Sequence, residues 1–411
     1  MNLKNIDHRL ATILLIVFVG MVGAAMILPI LPLYAQREFG MSAQVITLLN
    51  ASFYAAQFIA GPYLGRLSDR IGRLPVLIVS QIGTALSFVL LAWAPGAGML
   101  FAARILDGIT GGNIIVAQAY ITDITPKEKR TEALGYILAV FGLGFIVGPA
   151  LGGLLAAAFG PRIPYLIAAG VALMVVLLTW LLLDETVDTS KGAASQRAQQ
   201  PKLALSQVVR NRSLFFVLLI AIVAQFGFGL LQSTFALYGA AVLFQGASDQ
   251  ATNLGVGLLL AFVGAGQFFT QTWLLRRLLK RFNEAKLVII GLVLRTVGML
   301  LFAIITTPWL GPIASVLFAI GMGVVMPSLQ SMATVTVDDH MRGGVLGFFQ
   351  SANSLAIILS TGVAGVIFAV SPTMPFWLGS ALTALAIAPA LVLLGQVRRG
   401  ELKTASQAAR G

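Results

Sequence analysis

The sequence predicts an all-α polytopic membrane protein, with twelve transmembrane helices forming two pseudo-symmetric six-helix bundles. Three observations carry this expectation. Of 411 residues, 58% are hydrophobic and only 10% charged, with a mean hydropathy of +0.92, far from the average soluble composition. The apolar residues gather into twelve runs, each long enough for a bilayer that takes roughly 20 residues per helix. The basic residues collect at alternate connections between the runs. The first two observations exclude a soluble enzyme and leave little chain for any soluble domain.

In order, the runs cover 11–35, 45–65, 75–94, 98–120, 133–158, 163–183, 213–239, 254–275, 286–306, 312–334, 344–370 and 375–396, bounded by charges or Gly/Pro turns. Lys4 and Arg9 precede the first. That run is too long for a signal-peptide core and lacks a small-residue cleavage site, so it reads as the first membrane helix. The polar stretch Asp184 to Arg212 reads as a flexible cytoplasmic linker. The expected domains are therefore an N-terminal bundle at 1–183, the linker at 184–212, a C-terminal bundle at 213–396 and a basic cytoplasmic tail at 397–411.

The net charge of +12 and pI near 10.4 raise nucleic-acid binding, which would cluster bases on one soluble face. Their placement argues otherwise. With the N-terminus inside, the cytoplasmic segments hold 23 of the 27 Lys and Arg, while Arg37 and Arg162 lie outside and Arg104 and Arg295 fall within helices. This asymmetry expects both termini in the cytoplasm and needs no nucleic-acid partner. Absence of cysteine excludes disulfides and thiolate chemistry. His8 and His340 are far apart in sequence, and there is no phosphate-binding Gly-x-x-x-x-Gly-Lys-Ser/Thr loop. No catalytic residues, metal or cofactor are expected.

A shift of 211 residues lays Tyr63–Arg73 over Leu274–Glu284 at the same loop of each half. The match is weak, but parallel six-helix repeats are a mark of secondary transporters that rock about a midplane site. The loop Gly65-Arg66-Leu67-Ser68-Asp69-Arg70-Ile71-Gly72-Arg73 resembles the signature loop of the major facilitator superfamily. Gly65 is expected to end a helix and Gly72 to permit a tight reversal. The resemblance implies a conformational gate of Gly65, Asp69, Arg70, Gly72, Arg73 and Asp123. In it, Asp69 faces the start of the eleventh helix and the loop arginines reach Asp123. Leu74 stands where the family usually has another base, which implies a weaker clamp. A solvated, positively charged inside loop is the alternative.

In the fifth helix Gly144, Gly148 and Gly152 recur every fourth residue, with Pro149 and Gly153 beside them. Such a stripe lets backbones approach closely, and the proline introduces a bend. The string Gly144–Gly153 is similar to the antiporter motif of the same superfamily, although a plain packing stripe would read alike. In the fourth helix, Arg104 and Asp107 are i, i+3 and share a face. They lie roughly 9 and 14 Å from an outer end near Gly98 at 1.5 Å per residue. Charges at that depth pair or line a watery path. The family's second motif places an arginine here that is associated with proton transfer, implying Asp107 as proton carrier and Arg104 as its tuning partner. Of the fifteen acids, Asp107 alone is expected deep in a helix. A static ion pair is the alternative. Arg295 is expected to snorkel or to find a backbone carbonyl, and is not taken as a site.

Gln57, Gln225, Gln232, Gln267, Gln271, Gln330, Gln350 and Asn353, with Phe141, Phe145, Phe226, Phe228 and Phe235, suggest an amphipathic cavity. From these, Gln57, Phe141, Gln225, Gln232, Phe235, Gln330 and Asn353 are expected to bind substrate; interhelical hydrogen bonding is the alternative for each polar one. Leu231–Tyr238 and Tyr120–Pro126 resemble the tetracycline-efflux branch of the drug:proton antiporters. The first helix has Pro29 and Pro32 but no carboxylate, where tetracycline exporters usually carry one. The resemblance implies a monomeric inner-membrane antiporter, of the antibiotic-resistance type, that exchanges protons for a hydrophobic or amphipathic small molecule. With one cavity acid, neutral or weakly cationic drugs are expected. The alternatives are a facilitator or sugar-efflux carrier without proton coupling, a lipid translocator, and a non-transporting binding protein.

Overall fold

The computed structural model describes residues 8–111, 113–126, 130–186, 210–337 and 341–402. Most of the expected linker and tail, and His340, lie outside them. Among the described residues, twelve helices are long and apolar enough to cross a membrane: His8–Phe39, Ala43–Ile71, Arg73–Ala92, Ala97–Ile124, Ala139–Phe159, Arg162–Leu182, Arg212–Leu243, Asp249–Arg281, Glu284–Ile304, Pro308–Val335, Arg342–Val370 and Met374–Arg398. The protein is an all-helical, multi-pass membrane protein.

Most spans overrun the apolar runs that mark them, because a helix keeps its own hydrogen bonds beyond the hydrocarbon and polar residues continue it. Several are interrupted. The first comprises α1 (His8–Met26) and α2 (Ile30–Phe39), parted at Pro29. Proline offers no N–H, and Pro32 falls in the first turn of α2, where its missing donor costs least. The second is α3 (Ala43–Ile71) and the third α4 (Arg73–Ala92). The fourth comprises α5 (Ala97–Thr110) and α6 (Asn113–Ile124), and α7 (Arg130–Phe159) and α8 (Arg162–Leu182) follow. The seventh span is α9 (Arg212–Tyr238) with a π segment at Gly239–Leu243, and the eighth is α10 (Asp249–Phe269), a π segment at Thr270–Leu274, and α11 (Leu275–Arg281). Then come α12 (Glu284–Ile304), α13 (Gly311–Val335), α14 (Arg342–Val370), α15 (Met374–Leu385) and α16 (Ile387–Arg398). Asn211 and Asn283 cap α9 and α12, their side chains accepting from the Leu214 and Lys286 amides at 3.1 and 2.9 Å.

The chain divides into two compact units, residues 1–198 with 246–261, and residues 199–245 with 262–411. In the first, Ile13, Ile16, Val76, Val116, Tyr120, Ile137 and Val175 form one apolar core. In the second, Val217, Ile220, Leu292, Leu329, Val345 and Phe349 form another. The outward faces invert the soluble pattern: Ile59, Val79, Leu177 and Val366 are exposed. Trp93, Trp180 and Trp309 are exposed at span ends, where indole rings favour the membrane–water boundary.

Gly65 does not end a helix; α3 continues through it to Ile71. A single glycine costs a helix only about 1 kcal/mol. The reversal falls at Gly72, whose φ is +108°. There a Cβ would strike the Glu185 carboxylate.

Candidate functional site

The polar centre of the first unit lies where the fourth span breaks. α5 ends at Thr110, and the Gly111 amide donates to the Asp107 carbonyl at 2.6 Å. A break at this depth frees backbone groups that lipid cannot satisfy. Gln57 of α3 answers one of them, its Nε2 donating to the Gly111 carbonyl at 3.0 Å. The two helices run close enough that a Cβ on Gly108 would strike the Phe53 carbonyl and Ala56.

On the last turns of α5, Arg104 Nη1 donates to Asp107 Oδ2 at 2.9 Å, and both side chains are buried. The pair costs desolvation of two charges, which only good geometry and further contacts offset. Here the guanidinium lies over the Phe53 ring, 4.0 Å from its centroid. The Thr84 side chain lies beside Asp107, and Tyr54 lies within electrostatic range of Arg104. Phe53, Tyr54 and Thr84 carry no sequence signal, because their partners lie on other helices far along the chain.

At the α3–α4 turn, Arg73 is the hub. Its Nη2 meets Asp69 Oδ1 at 2.6 Å, its Nε meets Asp123 Oδ2 at 2.9 Å, and its Nη1 donates to Ser68 Oγ at 2.7 Å. Arg73 is only 2% exposed. The arginine that reaches Asp123 is therefore Arg73; Arg70 points to the surface. Glu185, just past the sixth span, accepts from the Arg73 and Leu74 amides at 2.9 and 3.0 Å. It supplies acceptors to the first-turn amides of α4, next to the positive end of its dipole.

In α7, Gly144, Gly148 and Gly152 face Met21, Ala25 and Met26 of α1, so the stripe is filled by that helix. Pro149 lies inside α7, which continues past it. Gly153, one residue round, meets Asn253 and Gly257 of α10. Nearby, Arg37 pairs with Asp249 at 2.9 Å and donates to Asn253 Oδ1 at 3.1 Å. These residues, with Tyr34, Glu38, Gln250 and Pro161, line a pocket of about 260 Å³ within the first unit.

The seven expected substrate residues are not brought together in this pocket. Gln57 serves the helix break. Phe141 packs against the core of the first unit. Phe235 is fully buried, its ring meeting Phe302 edge-on at 5.3 Å, and so belongs to the second unit's aromatic core rather than a cavity wall. Gln232 is half-buried and Gln330 exposed, while Gln225 Oε1 and Asn353 Oδ1 are buried with no hydrogen-bond partner. Arg295 does not snorkel: it is fully buried, donates to the Ala224 carbonyl, and lies over Phe318, 4.9 Å from the ring centroid.

Twelve spans in two compact units, with a buried ion pair beside a broken helix, define a polytopic transporter. A sequence model described as Major Facilitator Superfamily matches residues 13–277 and 235–410. The chain belongs to this superfamily of transporters and is not an enzyme. It is 32% identical over 403 residues to the tetracycline resistance protein, class C, of Escherichia coli, covering 96% of this chain and 97% of that one. To multidrug resistance protein 1 of Bacillus subtilis (strain 168) it is 28% identical over 393 residues, covering 94% and 96%. The human organic anion transporter MFSD10 (TETRAN) superposes with a TM-score of 0.65 at 21% identity, covering 93% of this chain and 99% of that one, which shows the shared fold.

Proposed function

We propose that the protein is a proton-coupled antiporter that exports hydrophobic or amphipathic small molecules by alternating access. The observation that carries this reading is the buried Arg104–Asp107 pair at 2.9 Å beside the mid-span break. A carboxylate at such depth is a functional position by default, and the relatives named for tetracycline and multidrug resistance favour export. Asp107 takes up a proton from outside and gives it up inside. Arg104 sets the balance by moving toward or away from the carboxylate as substrate occupies the carrier.

In this reading both termini are cytoplasmic in the plasma (inner) membrane, with six-helix bundles at 1–183 and 213–396. The basic residues of the described connections favour that orientation: Arg66, Arg70 and Arg73 at one turn, and Arg276, Arg277, Lys280 and Arg281 at another. The Arg73 cluster gates the inner side. The Gly144, Gly148 and Gly152 stripe keeps α1 and α7 moving together. Gln225, Gln232, Gln330 and Asn353 remain proposed substrate contacts, acting as a monomer's neutral polar lining.

The test is proton flux in proteoliposomes carrying tetracycline or ethidium. Asp107→Asn is expected to abolish substrate-driven proton movement while leaving substrate counterflow. If flux and its pH dependence survive in Asp107→Asn, the pair is structural and the carrier is a facilitator.

A further inference from the structure

The tyrosines beside the Arg37 pocket have no role in the gate, the stripe or the core packing described above. Tyr34 lines that pocket. Its ring sits 5.5 Å from that of Tyr165, centroid to centroid. Tyr165 in turn lies within electrostatic range of both Tyr34 and Arg104. Both hydroxyls are buried and neither has a hydrogen-bond partner. A buried hydroxyl left unpaired costs free energy, and two whose rings meet at one place ask for a reason.

Both tyrosines lie nearer the outer ends of their helices than the ion pair does. At 1.5 Å per residue, Tyr165 is about 5 Å from the Arg162 end of α8 and Tyr34 about 8 Å from the Phe39 end of α2. Arg104 is about 10 Å and Asp107 about 15 Å from the Ala97 end of α5. These ends all belong to the side opposite the Gly65–Arg73 turn. Both rings therefore lie on the pocket's side of the Asp107 carboxylate.

We propose that Tyr34 and Tyr165 form the route by which protons pass between the Arg37–Glu38–Asp249 pocket and Asp107. The proposal rests on the proton-coupling reading of Asp107. Every step conserves charge: a proton adds to the Tyr34 oxygen as that hydroxyl's own hydrogen leaves toward Tyr165, and Tyr165 passes one on in the same way. As many O–H bonds form as break. Both phenols are restored, and the Asp107 carboxylate is the final acceptor. Water bridges any gap longer than hydrogen-bond reach. The charged and titratable groups facing the route are Arg37, Glu38 and Asp249 at the pocket, with Tyr54, Arg104 and Asp107 inside. Arg104 repels a hydrated cation along this path, whereas neutral hydroxyls still relay a proton. The route thus selects protons over sodium.

The test needs no substrate. In purified full-length protein in lipid nanodiscs, the infrared band of protonated Asp107 is followed in time after a pH jump, and assigned by its loss in Asp107→Asn. Tyr34→Phe and Tyr165→Phe keep the ring pair and remove only the hydroxyls. Their double variant is expected to slow the appearance of the band at least about tenfold, within the range of positioned acid–base groups, with its final amplitude unchanged. Unchanged rates in the Phe variants overturn the route and leave the Asp107 reading standing. A band that never appears, or that persists in Asp107→Asn, overturns both. If Tyr165→Phe melts early, Tyr34→Phe alone decides, since Tyr34 is the member that lines the pocket.

Discussion

Gln57 Nε2 donates to the Gly111 carbonyl at 3.0 Å and so ties the second span to the point where the fourth is broken. The bond is partly buried and satisfies a carbonyl that the helix break leaves free. Gln57→Leu is expected to lower stability by about 1–3 kcal/mol, the cost of leaving a buried acceptor unmade. Thermal unfolding in detergent measures it. An unchanged melting temperature with weakened drug binding would instead return Gln57 to the substrate site.

Arg73 shares one guanidinium among Asp69, Asp123 and Ser68. Arg73→Ala is expected to destabilise by about 3–5 kcal/mol, as for a broken buried pair. Arg73→Lys keeps the charge but not the three-way geometry and should fall between. Arg70→Ala, on the exposed side of the same turn, should stay within about 0.5 kcal/mol. Melting curves of the three variants distinguish the hub from its neighbour.

The α3–α5 crossing is as close as glycine permits. Gly108→Ala drives a Cβ into the Phe53 carbonyl and is expected to cost about 1–3 kcal/mol, as overpacking does. Gly98→Ala meets nothing within 4 Å on the same helix and should be neutral. Equal melting temperatures for the two would show that the crossing can relax.

Arg295 is a buried cation that meets the Ala224 carbonyl and the Phe318 ring. Arg295→Met, similar in length and uncharged, is expected to be neutral or to stabilise by up to about 4 kcal/mol, as buried charges replaced by apolar groups often do. Export should survive it. Loss of export in a protein that melts normally would assign Arg295 a transport role.

The twelve spans are legible in the sequence because each must carry its own apolar length, a local property. What is not legible depends on which way a side chain faces or which distant residue it meets. Gly65 reads as a helix end, yet the neighbouring turns carry α3 through it. Phe235 reads as a cavity wall, although its face of α9 turns toward Phe302. Glu185 lies 112 residues from the Arg73 amide it accepts from, a partnership no spacing rule finds. The Arg104–Asp107 pairing is legible because three residues along a helix bring side chains onto one face. Its surroundings, Phe53, Thr84, Tyr54 and the two tyrosines, emerge only when five spans are packed together.

The interruption at Gly111 also leaves a signature in time. α6 begins with amides that have no preceding carbonyl inside that helix. Most amides at the centre of a membrane span are among the last in a protein to exchange their hydrogens with solvent. At the start of α6, midway along the fourth span, an island of early deuterium uptake should appear, flanked on both sides by slow segments. Its width would mark how far solvent hydrogen penetrates the bilayer along this chain.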